Sequence, residues 1–311
     1  MSSPKFSILI PTYNRGLLLK ETIDSVLAQT FSSYELIVID NGSTDGTLSM
    51  LSSYGSKIKT LSESKRGADV ARSRGASISS GEYLALLDND DLLYPDALEV
   101  YNRVIEGLSA PALIFGAMAH FRHGTSPRPN STANNAIAYR SYADFLSKDI
   151  PFDKSNSRIV IKRSIAESTN ALRAQPSMFP TDDTNLLLLA GTVGPIVIVG
   201  KPYTVCYRVH DQNVSGNLAY MVDGILALAR RERYGDYPGG KARQFDRYAF
   251  LGGCSLPFVR RALRQHRIRL AFRLALGTRS MIAAATIKKL YRYFRAATPE
   301  SWLRTHAQAK N

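Results

Sequence analysis

The sequence predicts an α/β protein built on a Rossmann-like, mostly parallel sheet, with a helical, basic C-terminal extension behind it. Three observations predict this. Short apolar runs alternate with amphipathic helical segments through the first third of the chain; a polar cluster follows three of those runs; and from Leu218 onward the periodicity is helical throughout, with most of the net charge gathered there. Alternating strands and helices form right-handed crossover units whose strands lie parallel and are covered on both faces. Ligands of such sheets bind beyond the carboxyl ends of the strands, so the three polar clusters mark one site.

The elements follow in order. Phe6 to Pro11 (FSILIP) is a strand closed by proline, and Arg15 to Gln29 carries Leu18, Leu19, Ile23, Val26 and Leu27 at helical spacing. Glu35 to Asp40 (ELIVID) is a second strand. It runs into NGSTDGT, where Gly42 and Gly46 mark a loop and Thr44 or Asp45 caps the next helix. Lys57 to Glu63 is a third strand, Gly67 to Ser79 a helix, Glu82 to Leu87 (EYLALL) a fourth strand and Pro95 to Gly107 a helix. Farther on, Ala112 to Phe121 reads as a strand and Arg122 to Ala138 as a loop rich in Ser, Asn, Thr and Pro. Tyr139 to Leu146 and Thr184 to Ala190 read as helices, and Ile196 to Val199 and Tyr203 to Val209 as extended. Leu218 to Tyr234, Arg243 to His266 and Ile268 to Ala297 are three further helices, and no internal repeat is present.

Composition narrows the class. With 44% hydrophobic residues in 311, the chain buries a real core, which excludes disorder throughout. The net charge of +14 is uneven: Phe258 to Asn311 holds 13 Lys or Arg against one acid, Glu300, whereas the first 257 residues hold 27 basic and 25 acidic side chains. Cys206 and Cys254 share no metal-ligand spacing and predict buried free thiols in a reduced cytosolic protein rather than a disulfide scaffold. The N-terminal MSSPKFSILIP has too short an apolar run for a signal sequence, so export is not expected. The longest uncharged stretch, Leu186 to Gly200, is shorter than a membrane span and is broken by Gly191, Gly194 and Pro195. PTYNRG after the first strand lacks the GxGxxG of nicotinamide dehydrogenases. An aspartyl-phosphate phosphatase would need a later lysine and acidic motif that do not follow.

The most chemical stretch is LLDNDD, Leu86 to Asp91. Asp88 and Asp90, separated by Asn89, present hard oxygen ligands suited to Mg²⁺ or Mn²⁺. Because Mg²⁺ is commonly held by one or two carboxylates plus substrate phosphates, so sparse a set suits a metal-diphosphate. The same residues also read as an acidic loop capping the helix at Pro95, with Asp91 capping the turn.

Five segments in fixed order, SILIPTYNR (Ser7 to Arg15), LIVIDNGSTDGT (Leu36 to Thr47), GADVARSRG (Gly67 to Gly75), YLALLDNDD (Tyr83 to Asp91) and YRVHDQNVS (Tyr207 to Ser215), resemble the inverting family 2 glycosyltransferases with the GT-A fold. The resemblance implies a catalytic domain over residues 1–217, its nucleotide-sugar half at 1–109 and its acceptor half at 110–217, ahead of a helical basic region at 218–311. It implies that Asp40 binds the nucleoside and that Pro11, Thr12, Tyr13 and Asn14 form the floor and stacking wall of the same pocket, Asn14 fitting equally as a helix N-cap. Arg72 is implied to pair with the nucleotide or its phosphate, its other reading being a surface cation, while Arg66 and Arg74 have weaker claims. Asp88 and Asn89 would meet the donor, and Asp88, Asp90 and His210 the metal. Arg208 would pair with the phosphates or with Asp90.

The resemblance places the catalytic base in a second acidic motif, FPTDDTNLLLL, at Asp183, with Asp182 as the alternative and an Asp standing where the family usually has Glu. A helix starting at Thr181 would also account for both acids as partners of its dipole. The implied function is metal-dependent transfer of a sugar from a nucleotide-diphospho-sugar to a hydroxyl of a glycan or lipid-linked acceptor, in bacterial surface polysaccharide or lipid-linked glycan synthesis. The alternative is a non-catalytic homologue that binds nucleotide-sugar or serves as a scaffold at the membrane.

The tail interleaves Phe258, Val259, Leu263, Ile268, Leu270, Phe272, Leu274 and Leu276 with arginines. It reads either as an amphipathic segment lying on an anionic membrane or as an extension packed on the catalytic domain with a solvated basic face. No nucleic-acid-binding module accompanies the charge, so nucleic acid is not an expected partner. The expected location is the cytoplasm, peripherally at the inner face of the cell membrane.

Overall fold

Phe6–Thr12 (FSILIPT) forms β1, and all 7 of its residues are buried, as they must be in a strand whose sheet is covered by helices on both faces. The computed structural model describes residues 3–108, 110–122, 124–125, 136–143, 145–148, 153–174, 180–211 and 213–297. Most of the segment Arg122 to Ala138, expected as a loop, lies outside them, as does 298–311.

In Met1–Asn217, the first of two compact units, α1 (Gly16–Leu27) follows β1, and β2 (Tyr34–Asp40) leads to α2 (Thr47–Ser52), β3 (Lys59–Ser62), α3 (Ala68–Ile78), β4 (Tyr83–Leu86), β5 (Leu92–Leu93) and α4 (Ala97–Gly107). These agree with the sequence reading apart from β5 and a shorter β3. Neither Thr44 nor Asp45 is the cap of α2: Gly46 holds the N-cap position with no side-chain cap, and Asp45, one residue before it, accepts the Thr47 N–H on Oδ1 at 3.0 Å. Phe6, Ile8 and Ile10 of β1 join Leu19, Ile23 and Val26 of α1 and Leu98, Tyr101 and Val104 of α4 in one core cluster, while α3 packs on β1 and β2. The apolar periodicity of each helix thus reports its inward face.

The second half departs from the sequence reading in three places. Ala112 to Phe121, expected as one strand, is two, β6 (Leu113–Phe115) and β7 (Met118–Arg122), in different sheets. The chain breaks at Gly116, where a Cβ would lie 2.1 Å from Tyr101 Oη and 2.3 Å from Thr204 Oγ1. Tyr139 to Leu146, expected as a helix, begins instead as β8 (Ala138–Tyr142), paired antiparallel with β10 (Ile196–Lys201); only the short α5 (Phe145–Lys148) is helical. Tyr-Arg-Ser-Tyr suits an exposed edge strand once a partner is available. Finally β9 (Ile159–Lys162) and α6 (Arg163–Ser168) were not expected. The run IVIK is too short to show a period, yet β9 lies antiparallel between β4 and β6.

With α7 (Asp182–Ala190) and β11 (Val205–Val209) the unit is complete. Its larger sheet has 8 strands in the order β3-β2-β1-β4-β9-β6-β10-β8, and β3-β2-β1-β4 and β6-β10 are parallel. A small sheet, β5-β11-β7, lies beside it.

Leu218–Asn311 is the second unit. It holds α8 (Leu218–Tyr234), α9 (Gln244–Arg264), α10 (Ile268–Gly277) and α11 (Arg279–Ala297). The expected single helix from Ile268 to Ala297 is therefore two, bent by 74°. Thr278 at the break is fully buried, its hydroxyl donating to Leu274 O at 2.8 Å. Leu218, Val222, Ile225, Ala262, Ala271 and Leu274 form this unit's core. Arg247 is buried beside it, its Nε donating to Glu232 Oε2 at 2.5 Å and its other nitrogens to Pro238 O and Gly240 O. Cys206 and Cys254 are not joined in a disulfide; Cys206 is buried and Cys254 only half-buried. Among the described residues no single helix is long and apolar enough to cross a membrane.

Candidate functional site

The sheet register brings the polar clusters side by side. Thr12 at the end of β1 pairs with Asp40 at the end of β2, and β4 flanks β1 on its other edge, so the loops after all three strands leave the sheet together. Side chains cross-link them. Asn14, at φ +50°, a conformation that Asn tolerates, donates its N–H to Ser43 Oγ (2.9 Å) and accepts the Thr44 N–H (2.8 Å). Asn14 is therefore not an N-cap; Arg15 holds that position and no side chain caps α1. Asn89 Nδ2 donates to Thr12 Oγ1 at 3.2 Å. Pro11 is buried within β1. Tyr13 is 40% exposed, and the Arg66 guanidinium lies 3.8 Å from its ring centroid.

Asp40 is buried and turns back on its own loop, accepting the N–H groups of Gly42 (3.2 Å) and Ser43 (3.1 Å). It also borders an open cleft of about 690 Å³ with Gly42, Ser43, Ser62, Glu63 and Arg74. Asn41, which sequence reasoning passed over as a loop residue, ties this cleft to α3. Its Nδ2 donates to Glu63 O (3.2 Å) and Lys65 O (2.5 Å), and its Oδ1 accepts the Gly67 N–H (2.7 Å).

Arg72 is the centre of the acidic site. One turn into α3 and buried, it reaches Asp182 Oδ2 with Nη1 and Asp88 Oδ1 with Nη2, so it is not a surface cation. Its partners lie 110 and 16 residues away in sequence, and the two acidic motifs meet through it. Burial pushes the Asp88 carboxyl up to about 6; Arg72 pulls it down, while Asp90 and Asp182 push it further up. Asp91, expected as a turn cap, is a fully buried anchor: Oδ2 accepts the Ser157 hydroxyl (2.6 Å) and Oδ1 the Arg208 N–H (2.9 Å). Burial, then Asp90 and Asp88, hold its carboxyl well above the usual range. Ser157 also accepts the Asp88 N–H at 3.0 Å. It precedes the unforeseen β9, so no local signal pointed to it.

His210 closes on this loop from the end of β11, its Nε2 3.0 Å from Asp90 Oδ2. Arg208 takes the Asp90 main-chain oxygen (2.7 Å) and Glu21 Oε2 (2.6 Å) and lies over the Phe121 ring; its tie to Asp90 is thus through the backbone.

The second motif opens α7, with Thr181 at the N-cap position and Asp182 and Asp183 in the first turn. Besides Arg72, Asp182 accepts Asn156 Nδ2 and the Asp183 N–H, both at 3.1 Å. Asp183 Oδ1 accepts the N–H and hydroxyl of Thr184, and its Oδ2 has no partner among the described residues. Burial first, then the neighbouring Asp182 charge, pushes Asp183 up to about 6, against the pull of Lys154.

The donor set fits a divalent cation. Asp88 Oδ2 and Asp90 Oδ1 accept no hydrogen bond among the described residues and both are hard ligands; burial first, and the neighbouring carboxylates after it, disfavour the charged forms of Asp88 and Asp91, a penalty that a bound cation offsets. Among the described residues no three His, Cys, Asp or Glu side chains form a ready metal cage, so substrate phosphates and water would complete the coordination.

The sequence profile of glycosyl transferase family 2 matches residues 7–169. An uncharacterized glycosyltransferase of Rickettsia typhi is 42% identical over 97 residues, 31% of this chain and 30% of that protein. TarP of Staphylococcus aureus, a poly(ribitol-phosphate) β-N-acetylglucosaminyltransferase, is 44% identical over 105 residues, 32% of each chain. The chain thus spans about a third of these curated relatives. The solved structure of S. aureus TarS 1-349 with UDP-GlcNAc superposes with a TM-score of 0.63 at 16% identity, over 93% of this chain and 92% of that one. That likeness is one of fold.

Proposed function

The chain belongs to glycosyl transferase family 2, and we propose that it is a metal-dependent, inverting glycosyltransferase acting on a nucleotide-diphospho-sugar. The observation that carries this reading is the convergence of the two acidic motifs on buried Arg72, with Asp90 and His210 beside them. The nucleoside would occupy the cleft bordered by Asp40, its base on the face of Tyr13. Asp88 and Asp90, with His210, would hold Mg²⁺ or Mn²⁺, which when bound supplies positive charge opposite the donor's diphosphate.

The reaction is a single displacement. The acceptor oxygen attacks the anomeric carbon as its proton passes to Asp183 Oδ2, and the bond from that carbon to the diphosphate oxygen breaks, inverting the centre. An acceptor hydroxyl is too weak an acid to attack unaided. Asp183 suits the base role because one oxygen is free and its affinity for a proton is raised to about 6, whereas Asp182 is neutralised by Arg72 and held by Asn156. Residues 1–109 then carry the donor, 110–217 the acceptor, and the basic helical region 218–311 attaches the protein to the anionic inner face of the cell membrane. There it would meet glycan or lipid-linked acceptors of surface polysaccharide synthesis.

TarS was solved with UDP-GlcNAc, so that donor with Mn²⁺ is the first to test. Wild type should hydrolyse or transfer it and stop when the metal is chelated. Asp183→Asn should lose at least about 100-fold in turnover while binding UDP as well as wild type. Asp90→Asn should lose UDP affinity itself. Undiminished turnover in Asp183→Asn removes the base assignment.

A further inference from the structure

We propose that the outer face of α10 is the surface that lies on an anionic lipid bilayer, with Ile268, Phe272 and Leu276 in the acyl boundary and Arg267 and Arg269 on lipid phosphates. This rests on the membrane attachment proposed above and names the side chains that perform it. α10 is apolar on two sides. Ala271 and Leu274 face inward and are buried in the core of their unit. Ile268, Phe272 and Leu276 recur every four residues along another stripe, about 12 Å long at helical rise, and are 60%, 67% and 50% exposed. A helix on a protein surface needs only the inward stripe; a second row of large apolar side chains, together with exposed Leu263 at the end of α9, marks a surface that something else covers.

The charge beside the stripe indicates what covers it. Arg269 and Arg273 border it on the helix, Arg264 ends α9 and Arg267 lies in the turn before α10. Arg273 is paired with Asp223, while Arg264, Arg267 and Arg269 are exposed. His266, Arg267, Arg269 and Arg273 also line an open hollow of about 520 Å³ at this turn. No Asp or Glu occurs between Asp246 and Glu300. An apolar row rimmed by arginines, of which Arg273 is paired with Asp223 and Arg264, Arg267 and Arg269 are exposed, matches the interface of an anionic bilayer, where the row enters the acyl boundary and the exposed arginines meet phosphates. A second copy of this chain seated there would set the same arginines against one another.

Vesicle flotation with the full chain tests this, using phosphatidylcholine with and without phosphatidylglycerol. Wild type should float with the phosphatidylglycerol vesicles and be released as salt rises. The Ile268→Ser, Phe272→Ser, Leu276→Ser triple variant, with helicity checked by circular dichroism, should bind about tenfold or more weakly, and the Arg267→Glu, Arg269→Glu variant should lose the preference for phosphatidylglycerol. As an independent readout, Phe272→Trp in a Trp302→Phe background should shift its emission to the blue on those vesicles. Wild type that ignores anionic vesicles overturns the membrane reading and this inference with it. Wild-type binding that the triple variant retains, or unmoved emission from position 272, overturns the assignment to α10 alone. An oligomer that the triple variant dissociates without lipid assigns the stripe to a second copy and overturns it too.

Discussion

Asp182 and Asp183 are adjacent, bear the same side chain and meet different surroundings. Arg72 and Asn156 hold the first, while the second keeps one oxygen free and binds its proton up to about 6. If Asp183 is the base, donor turnover rises with pH through about 6 in wild type, and Asp183→Asn flattens that limb; an unchanged profile places the base elsewhere. Stability gives a second check. The ordinary value of this carboxyl is 3.8, so the folded state holds the proton more tightly than the unfolded one between 3.8 and about 6. The contribution of Asp183 is therefore fully present below 3.8 and is lost as pH rises through about 6. Relative to wild type, Asp183→Asn should melt higher at about pH 7.5 than at about pH 4.

At the scale of elements, the start of α3 aims Arg72. Gly67 precedes the helix at φ +135°, a conformation open essentially to glycine alone, and a Cβ there would lie 2.6 Å from Asp69 Oδ1. Its N–H is held by Asn41, so the β2 loop, the cleft beside Asp40 and the first turn of α3 form one support. Gly67→Ala should cost about 1–3 kcal/mol in chemical denaturation and weaken UDP binding, because a displaced α3 carries Arg72 with it. Gly46→Ala, where an added Cβ meets nothing within 4 Å, is the comparison and should change both little. Equal effects of the two substitutions would show that the Gly67 geometry is not what aims Arg72.

At the scale of the molecule, carboxylates gather at one end of a sheet and cations in a helical region. The first arrangement leaves the acidic site short of positive charge, so nucleotide and metal should bind as a set. UDP with Mn²⁺ at 100 times its dissociation constant should stabilise the native state by about 2.7 kcal/mol, raising the melting temperature, and UDP with a chelator should raise it much less. Equal shifts with and without metal would remove the cation from the donor site.

The sequence by itself determined the first four strands of the large sheet, the helices between them and the polar clusters that gather at their ends. Each of these is written in local apolar periodicity and in short motifs, although the sheet arranges the strands as β3-β2-β1-β4 rather than in chain order. It marked Asp88, Asp90, His210 and the Asp182–Asp183 pair as candidates for the site, and the structure brings them close to Arg72 or to one another. Tertiary structure alone decided that Tyr139 lies in a strand, since an edge segment takes its conformation from the partner it pairs with. It also inserted IVIK between β4 and β6 and made Asn41, Ser157 and Asp91 the braces of the site. Those roles depend on burial and on hydrogen bonds between distant segments, neither of which leaves a periodic trace in the chain.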